Sequence, residues 1–133
     1  MANQVATNAI VCSFYTADDY YRSHGARLKA NLESLGIPYE LREIAKQPGD
    51  DWADICRKKV AFIAEVCAAN PDKKVFWTDV DCEIFSIPDF ILNSTADIIG
   101  FQRGFSTPAK IGYENRGRFW EPCFWGINTT AQA

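Results

Sequence analysis

The stretch Val75-Phe76-Trp77-Thr78-Asp79-Val80-Asp81 decides the fold. Its first part is a short run of apolar, aromatic and β-branched residues, which is typical of a buried strand. Two carboxylates, Asp79 and Asp81, follow one residue apart, where that strand is expected to end. Carboxylates this close repel each other unless positive charge is near, and Asp is also common in turns. The triplet therefore predicts either a cation site or a solvated turn.

The segments before this stretch alternate between strand and helix patterns. Predicted in order are a strand over residues 9–14, a helix over 19–35 ended by Gly36, a strand over 39–44, a helix over 52–69 and a strand over 74–78. The order βαβαβ predicts a Rossmann-like α/β domain, with a mainly parallel sheet flanked by helices. A single domain over residues 1–133 is expected for a chain of this length.

The patterns after the triplet are weaker. Predicted there are an extended segment over residues 83–85, a helical turn over 89–92, a strand over 97–101, a loop over 102–117 and a last strand over 119–127. Pro122 marks an edge or a bulge in that last strand, because proline cannot donate to a ladder. The late loop region is basic, with Arg103, Lys110, Arg116 and Arg118. A solvated loop is the favoured interpretation, and a lid over phosphates or acceptor is the alternative.

Composition excludes several classes of function. The 133 residues carry a formal charge of -3, so the chain has no basic field that would collect nucleic acid. No apolar stretch is long enough to span a membrane, and the first residues do not resemble a secretory signal. The five cysteines are scattered, which argues against zinc and disulfides and favours a reducing cytoplasm. The single histidine, His24, is expected to be a packed or surface residue, since it has no partner for metal ligation.

Two strand ends are expected to meet at one edge of the sheet. Ligands of parallel α/β sheets bind beyond the carboxyl ends of the strands. Tyr15 and Thr16 follow the first strand, as Asp79 and Asp81 follow the third. A base or ribose would stack on Tyr15 and bond to Thr16. The alternative is core packing of the ring, with Thr16 or Asp18 as the helix cap.

A lysine lies on the apolar stripe of the second predicted helix. Lys59 is spaced with Ile55 and Phe62 on that stripe, and a charge there requires a reason. Its ammonium group either reaches water along a packed stem or enters the crevice and pairs with phosphate. Lys58, on the adjacent face, is an alternative for the same role. A Mn²⁺ or Mg²⁺ ion on Asp79 and Asp81 would neutralise a diphosphate in that crevice.

The chain resembles the GT-A-fold glycosyltransferases, the nucleotide-diphospho-sugar transferases. The segments that carry the resemblance are residues 10–16, 51–63, 75–84 and 124–128. The resemblance implies that Asp79 and Asp81 bind Mn²⁺ or Mg²⁺ and the diphosphate of a UDP- or GDP-linked sugar, with Asp81 as the more direct ligand. It also implies that the first strand's end, with Tyr15 and Thr16, holds the nucleoside and that Lys59 contacts the donor. The activity implied is metal-dependent sugar transfer to an unspecified acceptor.

Family members are usually longer than this chain, and their second half supplies the acceptor pocket. The resemblance therefore implies that the donor half is present and that much of the acceptor half is missing. One alternative is a domain that binds a nucleotide sugar without transferring it. Another is a homodimer that covers an exposed aromatic end, Phe119-Trp120 and Phe124-Trp125. A phosphatase of the HAD type, with Asp79 as nucleophile, fits less well because its motif normally follows the first strand.

Overall fold

The protein is described by a computed structural model that covers residues 8–104, 118–120 and 122–129. Its elements in chain order are β1 (Ala9–Thr16), α1 (Asp19–Ser34), β2 (Tyr39–Ile44), α2 (Trp52–Ala69), β3 (Lys74–Thr78), α3 (Asp89–Leu92), β4 (Ile98–Ile99), β5 (Gln102–Gly104), β6 (Arg118–Trp120) and β7 (Phe124–Asn128). The predicted βαβαβ order is confirmed. The predicted turn over residues 89–92 is confirmed as α3.

The main sheet has five strands in the order β2-β1-β3-β7-β4. Strand β1 lies at its parallel core, paired with β2 on one side and β3 on the other. Strand β7 runs antiparallel to both β3 and β4. The prediction of parallel strands therefore holds for the βαβαβ part. The direction of β7 was not predicted, because an apolar run has the same pattern in either direction.

Helices cover both faces of this sheet. Leu28 and Leu32 of α1 pack with Val11 and Phe76 on one face. The other face holds a second core, in which Phe62, Ile63 and Val66 of α2 pack on strand residues. These strand residues are Ile10, Cys12 and Phe14 of β1 with Val75 and Trp77 of β3. Strands β1 and β3 are buried on both faces for this reason, which explains why their sequences are nearly continuous apolar runs.

Side chains and glycine fix the ends of the helices. Asp18 caps α1 by accepting from the backbone N–H of Tyr21 at 3.0 Å, which settles the choice between Thr16 and Asp18. Asp51 and Asp54 form a reciprocal capping box at the start of α2. Gly36 follows α1 with φ of 67°, the left-handed conformation that glycine adopts without strain. These local signals explain why the helix boundaries were predicted closely.

Several predictions near the chain's later part are wrong. The strand expected over residues 97–101 is reduced to Ile98–Ile99. Gln102–Gly104, expected as loop, is a strand that pairs with Arg118–Trp120 in a separate two-stranded sheet. The single strand expected over residues 119–127 is two strands, since a turn at residues 122–123 interrupts it. The rest of the predicted loop, with Lys110 and Arg116, lies outside the described residues.

Two aromatic residues assigned to the helix stripes are exposed. Tyr21 opens the stripe of α1 and Trp52 opens that of α2, yet the Trp52 side chain is 82% exposed. Both lie in the first turn of their helix. All five cysteines are free thiols, as expected. Within the described ranges, no helix has both the length and the apolar character needed to cross a bilayer.

Candidate functional site

A cavity of about 570 Å³ opens at the edge of the sheet where β1 and β3 end. We call it the main cavity. All five residues predicted from the sequence to bind ligand line it: Tyr15, Thr16, Lys59, Asp79 and Asp81. They meet because β1 and β3 are parallel neighbours, so their carboxyl ends lie at the same edge. The first turns of α1 and α2 complete the wall.

Hydrogen bonds on three sides hold Asp79. Its Oδ1 accepts from the indole Nε1 of Trp77 at 2.9 Å. Its backbone N–H donates to the carbonyl of Cys123 at 2.9 Å, and its own carbonyl accepts from the N–H of Cys82 at 3.1 Å. The side chain of Asp79 is 41% exposed, and it lines the main cavity. Asp79 is therefore a fixed acid whose second oxygen is available to a ligand.

Lys59 reaches the same place from α2. Its ammonium lies 4.3 Å from the centre of the Trp77 ring and 3.8 Å from Oδ1 of Asp79. A cation over an indole face is stabilised by about 0.5–2 kcal/mol. The distance to Asp79 is too long for a hydrogen bond, so the ammonium protons are free to bind an anion. With 22% of its side chain exposed, Lys59 is the half-buried cation of the cavity.

The structure separates Lys59 from the alternative, Lys58. Lys58 does not line the main cavity, and its ammonium is bonded to the carboxylate of Asp50. That ion pair fixes the loop before α2 and occupies the Lys58 charge. The two neighbouring lysines thus have different surroundings, and only Lys59 of the pair faces the carboxylates at the end of β3.

Tyr15 is placed by a glycine of α1. A Cβ at Gly25 would lie 2.6 Å from Cζ of Tyr15, so only glycine lets the ring pack against the helix. Tyr15 and Thr16 belong to β1, where they pair with Glu43 and Ile44 of β2, although the strand was expected to end at residue 14. Tyr15 also packs against the α1-side core. Both interpretations made from the sequence, core packing and a position in the crevice, describe part of its position.

Thr16 is engaged with the cap of α1. Its hydroxyl donates to Oδ2 of Asp18 at 2.7 Å. The backbone N–H of Tyr21, and then this hydroxyl, lower the pKa of Asp18, so the cap is ionised at neutral pH. The Thr16 oxygen keeps lone pairs for a ligand, but its proton is committed to Asp18. Toward a ligand, Thr16 can therefore act as a hydrogen-bond acceptor.

Negative charge prevails in the main cavity. The carboxylates of Asp18, Asp51, Asp79 and Asp81 face the ammonium groups of Lys46 and Lys59, so four negative charges against two positive ones leave a formal charge of -2. An anionic ligand is unfavourable there unless it brings a cation. In the described part of the chain, no three His, Cys, Asp or Glu side chains form a group that holds a metal by itself.

Several residues that line the main cavity were not predicted from the sequence to contact a ligand, among them Lys46, Trp52 and Pro122. Lys46 follows β2, Trp52 opens α2 and Pro122 precedes β7, and all three line the wall. The first two had a usable signal, because the ends of β2 and the beginning of α2 must lie at the same edge as the ends of β1 and β3. Pro122 had none, since its place depends on the antiparallel pairing of β7 with β3.

The segment after Asp81 is attached to α1. The side chain of Asn31 donates to the carbonyl of Ile84 at 2.8 Å and accepts from the Ile84 N–H at 2.9 Å. Two hydrogen bonds between the side-chain amide of Asn31 and the backbone of Ile84 fix the path of the chain beyond the triplet. His24 does not line the main cavity, and its ring lies 4.7 Å from that of Tyr20.

The fold and the cavity define an α/β domain with a charged ligand crevice at the carboxyl edge of its parallel strands. No protein-family model matches the chain, and no curated protein sequence matches it. Among solved structures, the fold is similar to that of a glycosyltransferase involved in the glycosylation of the major capsid of PBCV-1. The two share 12% sequence identity with a TM-score of 0.63.

The likeness covers 91% of this chain and 59% of the glycosyltransferase chain. This chain therefore spans less than two thirds of that protein's length. At this identity the comparison shows a shared fold. The finer assignments made from the sequence, namely the GT-A type, the metal and the nucleotide sugar, stay predictions.

Proposed function

We propose that this chain binds a nucleoside-diphosphate sugar together with Mn²⁺ or Mg²⁺ and acts in glycosyl transfer. The observation that carries the proposal is the content of the main cavity. An aromatic ring and a hydroxyl at the end of β1, an ammonium from α2 and two carboxylates after β3 all line it. These are the groups that a base, a ribose, a diphosphate and a cation require.

The charge of the cavity supports a metal-dependent mode of binding. A diphosphate brings further negative charge to a wall whose formal charge is already -2. The charges of Lys46 and Lys59 are already included in this value, and the Lys59 ammonium also lies 3.8 Å from Oδ1 of Asp79. A divalent cation removes the conflict, because it attracts the carboxylates and the diphosphate at once.

The residues present fit such a cation. Mg²⁺ usually keeps several waters and takes one or two carboxylates plus substrate phosphates. Asp79 has one oxygen bonded to Trp77 and the other available, and Asp81 is exposed beside the same cavity. These two residues would hold the ion, and the ion would act as a Lewis acid on the diphosphate leaving group. Lys59 would bind the same leaving group through its free ammonium protons.

The resemblance of the fold to a glycosyltransferase supports the same reaction class. That protein is longer than this chain. The described cavity therefore supports donor binding more directly than it supports transfer to an acceptor. A domain that binds donor without transferring sugar remains the alternative. Assays of donor hydrolysis and transfer separate the two, because only a transferase releases free nucleoside diphosphate.

Calorimetry tests the proposal. UDP, GDP and CDP are titrated into the protein with Mn²⁺ and with EDTA, and binding of at least one of them is expected only with the metal. Asp79→Asn and Asp81→Asn should each weaken that binding at least tenfold. Asp72→Asn is a matched control, since Asp72 is exposed, lies outside the cavity and has φ of 65°, which asparagine tolerates. Equal affinity with and without metal would contradict the proposal.

A further inference from the structure

A second cavity, of about 450 Å³, lies between α1 and the segment that follows β3. We call it the α1 cleft. One wall is formed by His24, Arg27 and Asn31, and the other by Asp81 and Glu83. Its volume falls in the range of small-molecule pockets, about 300–1,000 Å³. It meets the main cavity at Val80 and Asp81, which line both.

The two walls of the cleft carry opposite charges that do not neutralise each other. Arg27 is exposed on α1, and Asp81 and Glu83 are exposed on the facing segment. Among the described residues, neither Arg27 nor Glu83 has a hydrogen bond or an ion pair, and Asp81 has only a long contact of 4.0 Å from the Cys82 thiol. Arg27 and Glu83 are therefore free to bind a ligand, and Asp81 is shared with the main cavity. Asn31 is different, because Ile84 occupies its amide.

A mixed set of free groups selects the chemistry of the ligand. With two carboxylates against one guanidinium, the cleft has a formal charge of -1, which repels a simple anion, and a simple cation would leave the Arg27 guanidinium without a ligand group to bind. A polyhydroxylated molecule satisfies both walls, since each hydroxyl donates to a carboxylate or accepts from a guanidinium. His24, the single imidazole of the chain, adds a further donor or acceptor on the same wall as Arg27.

We propose that the α1 cleft binds a saccharide, and that this saccharide is the acceptor of the transfer reaction. The location supports the role, because Asp81 belongs to both cavities and an acceptor must meet the donor sugar near the diphosphate. The acceptor role rests on the proposed function. Saccharide binding itself rests on the cleft alone and is tested without donor.

The test is a titration of the ¹⁵N-labelled full chain followed by amide chemical shifts. The probes are glucose, galactose, N-acetylglucosamine, lactose and maltose, each at up to about 50 mM, which detects millimolar dissociation constants. At least one probe is expected to shift amides of residues 24–31 and 80–84. Arg27→Ala and Glu83→Gln should each weaken that binding about tenfold, as expected for hydrogen bonds to charged groups. Lys29→Ala is the control, since Lys29 is exposed on α1 but outside the cleft.

Two results would overturn the inference. One is that none of the probes shifts these amides. The other is that the shifts are unchanged in Arg27→Ala and Glu83→Gln, or appear at residues 14–16 and 59 instead. A parallel titration with UDP and Mg²⁺ reports on the main cavity. If UDP does not bind there, the proposed function is refuted. The saccharide titration still tests the binding of saccharide to the α1 cleft.

Discussion

At the scale of single residues, the ammonium groups of the neighbours Lys58 and Lys59 have different surroundings. Both are lysines of α2, but Lys58 is bonded to Asp50 and Lys59 lies over the ring of Trp77 beside Asp79. The first arrangement fixes a loop, and the second leaves ammonium protons free at the cavity. A difference of one position on a helix thus decides which cation meets the ligand.

We expect Lys59→Met to lower the affinity for a nucleoside diphosphate at least tenfold, because the phosphates lose a charged hydrogen-bond donor. Lys58→Met is the matched control and should change that affinity less than twofold. Calorimetry with UDP and Mn²⁺ measures both. An equal loss in the two variants would mean that general positive charge, rather than the position of Lys59, is what matters.

Cys12 gives a second prediction at this scale. It is fully buried in β1, and burial, followed by the neighbouring Cys67, raises the pKa of its thiol from 9.0 to about 12. A raised folded-state pKa stabilises the fold below the unfolded pKa, and that stability is lost as pH rises. Between pH 9 and pH 12 the free energy of unfolding should therefore fall by up to about 1.4 kcal/mol per pH unit from this group.

Urea unfolding at pH 8, 9.5 and 10.5 measures this loss. Cys12→Ala is expected to be less stable at pH 8, because it leaves a small cavity in the core. Its stability should nevertheless fall less steeply with pH than that of the natural chain. Parallel slopes in the two proteins would contradict the assignment of the loss to Cys12.

At the scale of elements, α1 positions the Tyr15 side of the main cavity through Gly25. A Cβ there would meet the far end of the flexible Tyr15 ring, which is the part most able to move. Gly25→Ala should keep α1 helical, since alanine favours helix, while displacing the ring. We expect at least fivefold weaker UDP binding with an unchanged far-ultraviolet spectrum.

Ala26→Ser, at the exposed neighbouring position, is the control for this substitution and should bind UDP normally. Loss of helix in Gly25→Ala would instead show that the close packing of Tyr15 is structural. Unchanged UDP affinity would show that Tyr15 does not contact the nucleoside.

The elements also show how far the sequence predicts the fold. Strands β1 to β3 and helices α1 and α2 were predicted from local signals, such as apolar runs and stripes, the candidate cap Asp18 and Gly36. Strands β5 and β6 were missed because Gln102–Gly104 becomes a strand only through its partner, Arg118–Trp120. Long-range pairing leaves no pattern within a three-residue segment.

The same distinction holds for the cavities. Tyr15, Thr16, Lys59, Asp79 and Asp81 were named in advance because parallel topology brings strand ends together. The α1 cleft was not anticipated, since it depends on the path of the chain after Asp81. That path is set by the two bonds between Asn31 and Ile84, which are 53 residues apart. His24 was accordingly assigned only to packing or the surface.

At the scale of the whole molecule, Phe124 and Trp125 of β7, which belong to the aromatic end predicted to be covered in a dimer, are partly buried. Phe124 stacks on Phe76 with centroids 5.4 Å apart, and Trp125 packs against the α2-side core. Phe85 and Phe90 are aromatic residues with a much larger exposed fraction. The homodimer stays a prediction, and Phe124 and Trp125 would contribute only the exposed part of their side chains to its interface.

Ligand binding should stabilise the whole fold, because the main cavity joins β1, β3, α1 and α2. With UDP at about 100 times its dissociation constant and Mg²⁺ present, the free energy of unfolding should rise by about 2.7 kcal/mol. Chelation with EDTA should abolish the gain by UDP. Thermal and urea unfolding measure it, and Asp79→Asn with the same ligands should show almost none. A gain that survives EDTA would contradict metal-dependent binding.

The most direct test of the central claim is an anomalous difference map at the manganese edge, from crystals grown with Mn²⁺ and UDP. A manganese peak is expected about 2.0–2.4 Å from a carboxylate oxygen of Asp81 and within reach of Asp79, next to the diphosphate. The uridine should lie beside Tyr15 and Thr16 in the same cavity. A manganese peak away from both carboxylates, or a diphosphate outside the main cavity, would contradict this claim.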